Sequence, residues 1–171
     1  MTKHIDLTTG TVTIERSPDA IGRSLHLVDI ENLSGGPQRT LAEHLAAYRT
    51  YERRAEVGPR DHVVVAACGL VMDALAFRLP KGIAVRKANG VDGADRALLS
   101  FDTPERIAER YERLVIGSGD HGFLGLALAA QAYGVHVVIL SGRGKRAGVL
   151  SGKGLGIRPL GSIHDELALI V

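Results

Sequence analysis

The sequence predicts an α/β protein, a three-layer α/β/α sandwich around a mostly parallel central sheet of about five strands. Short runs of Val, Leu and Ile recur along the chain, as strands buried on both faces require. Segments with apolar residues at helical spacing separate these runs, and such alternation implies crossover connections within a parallel sheet. The length of 171 residues is that of one domain, long enough to bury its own core.

Residues 1–23 are polar and Thr-rich and read as an N-terminal extension. It is either loose or a short edge strand at Thr11-Val12-Thr13-Ile14. The domain proper is expected over 24–171. Leu25 to Ile30 reads as a buried strand, followed by a Gly-Gly-Pro step with Pro37 in a first helical turn. Leu41, Leu45 and Tyr48 share one helical face. His62 to Ala67 is a second strand, Met72 to Leu79 a short helix, and Ile83 to Val85 a third strand. A helix begins near Gly93, and Thr103-Pro104 caps and starts another. Leu114 to Ile116, the Ala-rich helix Phe123 to Tyr133 and the strand Val135 to Leu140 complete the pattern.

A net charge of +2 makes no global polycation, so the local placement of charge must identify any partner. The single Cys68 excludes an internal disulfide and any zinc site built from several cysteines. It ends an apolar run and reads as a core thiol. No charged segment followed by an apolar one opens the chain, and no apolar stretch approaches a membrane span. The expectation is a soluble, cytoplasmic protein with no membrane partner.

In open parallel sheets, ligands bind outside the carboxyl ends of the strands. Three aspartates fall at such ends: Asp29 after the first strand, Asp95 in the helix start after the third, and Asp120 after the fourth. Taken singly, Asp29 suits a turn cap as well as a ligand. Asp95 in a first helical turn favours the helix dipole, and Asp120 suits a loop or a cap. Together they would repel unless a cation joined them, and an all-oxygen set suits Mg²⁺ or Mn²⁺. Such an ion polarises a phosphoryl oxygen and lowers the pKa of water, the chemistry of phosphodiester hydrolysis.

The motifs around these residues resemble those of NYN-domain proteins, a PIN-like ribonuclease family that includes the LabA-like proteins. Asp29-Ile30-Glu31-Asn32 resembles the Asp-x-x-Asn of the family's first strand. Gly93-Ala94-Asp95-Arg96-Ala97-Leu98-Leu99 resembles its acidic helix start, and Ser118-Gly119-Asp120-His121-Gly122-Phe123 its Ser-Gly-Asp-x-x-Phe. Tyr133-Gly134-Val135-His136-Val137-Val138 leads into the last core strand in a familiar way. The resemblance covers about residues 24 to 142. It implies a PIN-like, Rossmann-like fold and Mg²⁺- or Mn²⁺-dependent cleavage of RNA. It carries over Asp29, Asn32, Asp95, Asp120 and Ser118 as the catalytic set, with Asp29, Asp95 and Asp120 on the metal. Asn32 would hold a substrate phosphate or a water on the ion, and Ser118 would orient Asp120 or that water.

One departure stands out. Many relatives carry a second acid in the third motif, where this chain has Gly122. Asp92 is the first candidate to replace it. Asp102 reads as a solvated helix end, and Glu31 would point away from Asp29 in a continuing strand. His121 is a candidate phosphate contact, or a half-exposed loop residue.

The segment 141–158 is basic and glycine-rich, with Arg143, Lys145, Arg146, Lys153 and Arg158 and no acid. It starts at the same sheet edge as the aspartates, so it suits an RNA backbone without sequence readout, or else a solvated loop. Its Ala147 to Gly154 run lacks the first Gly and the Ser or Thr of a phosphate-binding Walker loop, which excludes ATP binding. The apolar Leu167 to Val171 suits a final element or a homodimer contact. Two other readings remain beside a ribonuclease. One is an inactive RNA-binding or scaffold module, motivated by Gly122. The other is a phosphatase, for which Asp29 with Glu31 is a poor acid pair.

Overall fold

The computed structural model describes residues 3–6, 11–14, 16–90, 92–142 and 155–161. The fold is set by one sheet. Its strands are β3 (Ser24–Asp29), β4 (His62–Cys68), β5 (Ala84–Ala88), β6 (Arg113–Gly117), β7 (His136–Ser141) and β8 (Gly156–Pro159). They run in the order β5-β4-β3-β6-β7-β8, and every pairing is parallel. Ahead of them, β1 (Lys3–Asp6) and β2 (Thr11–Ile14) pair antiparallel as a separate two-stranded sheet. Thr11–Ile14 is therefore a strand, but not an edge of the main sheet.

Helices cover both faces. On one side lie α1 (Ile30–Ser34), α2 (Leu41–Ala55) and α3 (Gly69–Leu75). On the other lie α4 (Gly93–Leu99), α5 (Pro104–Arg110) and α6 (Leu124–Ala132). The strand period of two assigns alternate residues to two cores. Leu25, Leu27, Leu114 and Ile116 pack against α4, α5 and α6. Val28, Val63, Val65 and Val115 pack against α2 and α3. Every residue of the central β3 is buried, whereas three of the five in edge strand β5 are exposed.

The expected α/β/α sandwich is present, with six strands in its central sheet among the described residues, and four local expectations need correction. Gly156–Pro159 forms an edge strand inside the segment read as a loop. The first strand ends at Asp29 rather than Ile30, and an unforeseen helix α1 begins at once. The third strand is Ala84–Ala88, shifted toward the acidic edge from Ile83–Val85. The helix expected from Met72 starts three residues earlier, at Gly69. Of the basic segment, Arg143, Lys145, Arg146 and Lys153 lie outside the described residues, as do Leu167 to Val171; Arg158 is exposed on β8. Among the described residues, no helix is long and apolar enough to cross a membrane.

Candidate functional site

Asp29 is both the end of β3 and the cap of α1. Its Oδ1 accepts from the backbone N–H groups of Glu31 and Asn32, each at 3.1 Å. The capping reading is therefore correct, yet it uses one oxygen only. The residue is 7% exposed. Burial, opposed by the Asn32 N–H and reinforced by Asp95, raises its carboxyl pKa to about 7.

Asp95 sits in the first turn of α4, which crosses from β5 over β4 to β3 and so brings its carboxyl to that of Asp29. The two form a side-chain hydrogen bond. Asp29 is the more deeply buried of the two. Burial and then the charge of Asp120 raise the Asp95 pKa as well. Its Oδ1 is buried and has no hydrogen-bond partner.

The third motif closes the edge. Asp120 caps the short 3₁₀ turn His121–Phe123, its Oδ1 accepting from Gly122 N–H at 2.7 Å. Its own N–H donates to Ser118 Oγ at 3.1 Å, and Ser118 is fully buried. Asn32 Oδ1 accepts from Gly119 N–H at 2.9 Å, which joins the first motif to the third. Exposed His121 lies 3.3 Å from Asp120 through Nδ1.

The remaining acids separate clearly. Asp92 precedes α4 in the left-handed region, at φ 54°, and is exposed; its charge adds to the upward shift of Asp95. Asp102 is not solvated, because Arg106 and Arg110 hold its carboxylate at 3.2 and 2.9 Å, and it faces those arginines rather than the aspartates. Glu31 does not point away from Asp29, because the strand has already ended. Its Oε2 accepts from Cys68 N–H at 3.1 Å, and its charge reaches Asp29. The rule of strand alternation hid this residue; the Asp-x-x-Asn spacing, read as a helix cap, would have revealed it. Cys68 is half-buried and its thiol faces Glu31; burial and that carboxylate push its pKa up, so it is a poor nucleophile.

Among the described residues, no group of three or more His, Cys, Asp or Glu side chains is arranged to hold a metal ion. Asp29, Asp95 and Asp120 are electrostatic neighbours, but Asp29 and Asp120 each commit an oxygen to backbone N–H groups. The side chains of Asp29 and Asp95 meet. A divalent cation still fits this chemistry. The donors are all oxygen, one is buried without a partner, and burial with like charge raises the pKa of both Asp29 and Asp95. A cavity of about 570 Å³ lies at the other end of the sheet, lined by Arg23, Asp61, Arg113 and His136, and none of the three aspartates borders it. Compared with family models, with curated proteins and with solved structures, the chain matches none.

Proposed function

We propose that this protein is a divalent-metal-dependent endoribonuclease of the PIN-like NYN type, hydrolysing RNA phosphodiester bonds at the carboxyl edge of its sheet. The observation that carries the reading is the pairing of buried Asp29 with half-buried Asp95 beside Asp120, with Asp95 Oδ1 lacking any hydrogen-bond partner. A buried carboxyl against a half-buried one, with the charge of Asp120 pressing on Asp95, is costly without a cation. Asp29, Asp95 and Asp120 would hold Mg²⁺ or Mn²⁺. Once bound, the ion would supply Lewis acidity toward a phosphoryl oxygen and a more acidic water.

The chain's own groups do the positioning. Ser118 fixes the backbone of Asp120, and Asn32 fixes Gly119, so the third motif is set relative to Asp29. Exposed His121 would contact the RNA backbone, and the charges of Arg143, Lys145, Arg146 and Lys153 in the sequence would favour its binding. RNA as substrate rests on the motif resemblance.

Incubating the purified chain with Mn²⁺ and single-stranded or structured RNA tests the reading. Cleavage is expected, with loss in Asp29→Asn and Asp120→Asn while circular dichroism is unchanged. Absence of cleavage by the wild type would overturn it. A second reading, an RNA-binding module without catalysis, is favoured by Gly122 and by the lack of a closed three-ligand group among the described residues. That module would bind RNA in a salt-sensitive way and take up no Mn²⁺ through Asp29 and Asp120.

A further inference from the structure

Three of the four large apolar side chains left exposed among the described residues stand on one flank of the sheet: Leu70 at 86%, Phe77 at 92% and Val85 at 36%. Leu70, Ala74 and Phe77 fall at i, i+4 and i+7, one helical face, and all three are exposed. The helical run of α3 reaches that far, since Ala76 N–H donates to Met72 O and Leu79 N–H to Leu75 O. Its other face, Met72, Leu75 and Leu79, is buried. Asp73, on the exposed side, accepts from Lys87 Nζ of β5 at 2.7 Å, so this side of the helix runs beside that strand. Val85 shares the Lys87 side of β5 by strand alternation.

β5 pairs with β4 along one side and, among the described residues, with no strand along the other. Its outer N–H and C=O groups therefore have no ladder partner. Scattered apolar residues on a surface are ordinary, but a Leu, a Phe and a Val beside an open strand edge make a contact surface.

Charge selects the occupant. From Leu70 to Ala88 the chain carries four bases, Arg78, Lys81, Arg86 and Lys87, and one acid, Asp73. Lys87 holds that acid, and among the described residues no carboxylate pairs with Arg78, Lys81 or Arg86. A second copy would bring the same positive flank and be repelled. A nucleic-acid strand would meet the bases but leave Leu70, Val85 and the strand edge unmatched. An acidic peptide in extended form meets all three, with backbone on β5, alternate apolar side chains on the Leu70–Phe77 face and carboxylates on the bases.

We propose that β5 and the exposed face of α3 form a docking edge for an extended segment of another protein, one that alternates acidic and apolar residues and adds to the sheet as a further strand. The inference is independent of any cleavage of RNA.

Fluorescence anisotropy of a labelled peptide of about nine residues, alternating Glu with Val and Leu, titrated with the full chain, tests it. Binding that weakens as salt rises is expected, with the Lys-for-Glu counterpart about ten-fold weaker or more. Leu70→Ser with Phe77→Ser, and separately Arg78→Glu with Lys81→Glu, should each weaken binding about ten-fold. All four side chains are exposed, so melting temperatures should stay at the wild-type value. In the wild type, the peptide should slow hydrogen exchange within Ala84–Ala88, a readout that needs no variant. No binding of the acidic peptide, equal binding of its basic counterpart, or protection that misses β5 overturns the inference. Displacement of the peptide by oligouridine, with no effect of the Leu70 and Phe77 changes, would make the flank a phosphate track and overturns it too. So does self-association in ultracentrifugation that Phe77→Ser abolishes, which would assign the flank to a second copy.

Discussion

Asn32 Oδ1 accepts the backbone N–H of Gly119 at 2.9 Å, linking the first turn of α1 to the loop after β6 across 87 residues of sequence. Gly119 is buried, so Asn32→Ala strands its N–H without an acceptor. The expected cost is about 1–2 kcal/mol, seen as a melting temperature several degrees lower. Cleavage should fall further than stability, because Asp120 is the next residue. Thermal melts beside RNA cleavage rates check this; an Asn32→Ala protein that melts like the wild type refutes it.

Asp29 gives a pH signature with a definite sign. Its folded pKa of about 7 stands above the ordinary 3.8, so between those values the folded chain holds a proton that the unfolded chain has released. Metal-free stability therefore falls as pH rises through that window. Asp29→Asn keeps an oxygen for the α1 cap but cannot ionise. At pH 8 without metal it should melt above the wild type, and at pH 4 the two should converge. Saturating Mn²⁺ should reverse the order at pH 8, since only the wild type gains binding energy. Melting curves under these three conditions suffice.

A second buried group slopes the other way. His26 is fully buried in β3, its Nδ1 paired with Tyr51 Oη at 2.8 Å and its Nε2 with Asp61 at 3.2 Å. Burial outweighs Asp61 and lowers its pKa from 6.5 to about 4. The unfolded chain then binds the extra proton between pH 6.5 and 4, so this contribution is present above 6.5 and is lost as pH falls through the window. Its full size is about 3 kcal/mol. The difference in unfolding free energy between wild type and His26→Gln, measured by urea titration, should shrink steadily from pH 7 to pH 4. A constant difference would show that His26 is not held neutral.

Two glycines mark where the site elements approach most closely. A Cβ at Gly117 would stand 2.8 Å from Tyr51 Cε2, and one at Gly142 would stand 2.3 Å from both the Cα and the carbonyl oxygen of Leu33. Gly117→Ala should cost about 1–3 kcal/mol, because a ring can shift. Gly142→Ala should cost more, because backbone of α1 must move. Urea midpoints rank the two, and the opposite order would contradict the packing.

The alternation of strands and helices was legible because buried parallel strands are continuous apolar runs. β8 was not, since Arg158 and Pro159 belong to an edge strand that needs neither face fully apolar and can carry proline at its end. α1 is five residues long, too short to show a period, and is defined by the Asp29 cap and by Gly35 at φ 103°. That single missed boundary also hid Glu31, whose direction depends on whether the chain is strand or helix. The three aspartates were legible as strand ends. Their pairing was not, because Asp29 meets Asp95 only through the path of α4 across three strands, which no local pattern encodes.

The position of β3 between β4 and β6 has a kinetic consequence. Ser24 stands opposite Arg113, so one side of the central strand waits for a partner far along the chain. Closing so long a loop is entropically slow, and parallel pairing rewards it late. Of the main sheet, β3, β4 and β5 emerge first during synthesis, with the apolar flank of β3 open to wrong partners until β6 arrives. The acidic edge, which needs the loop after β6, is thus among the last features to assemble.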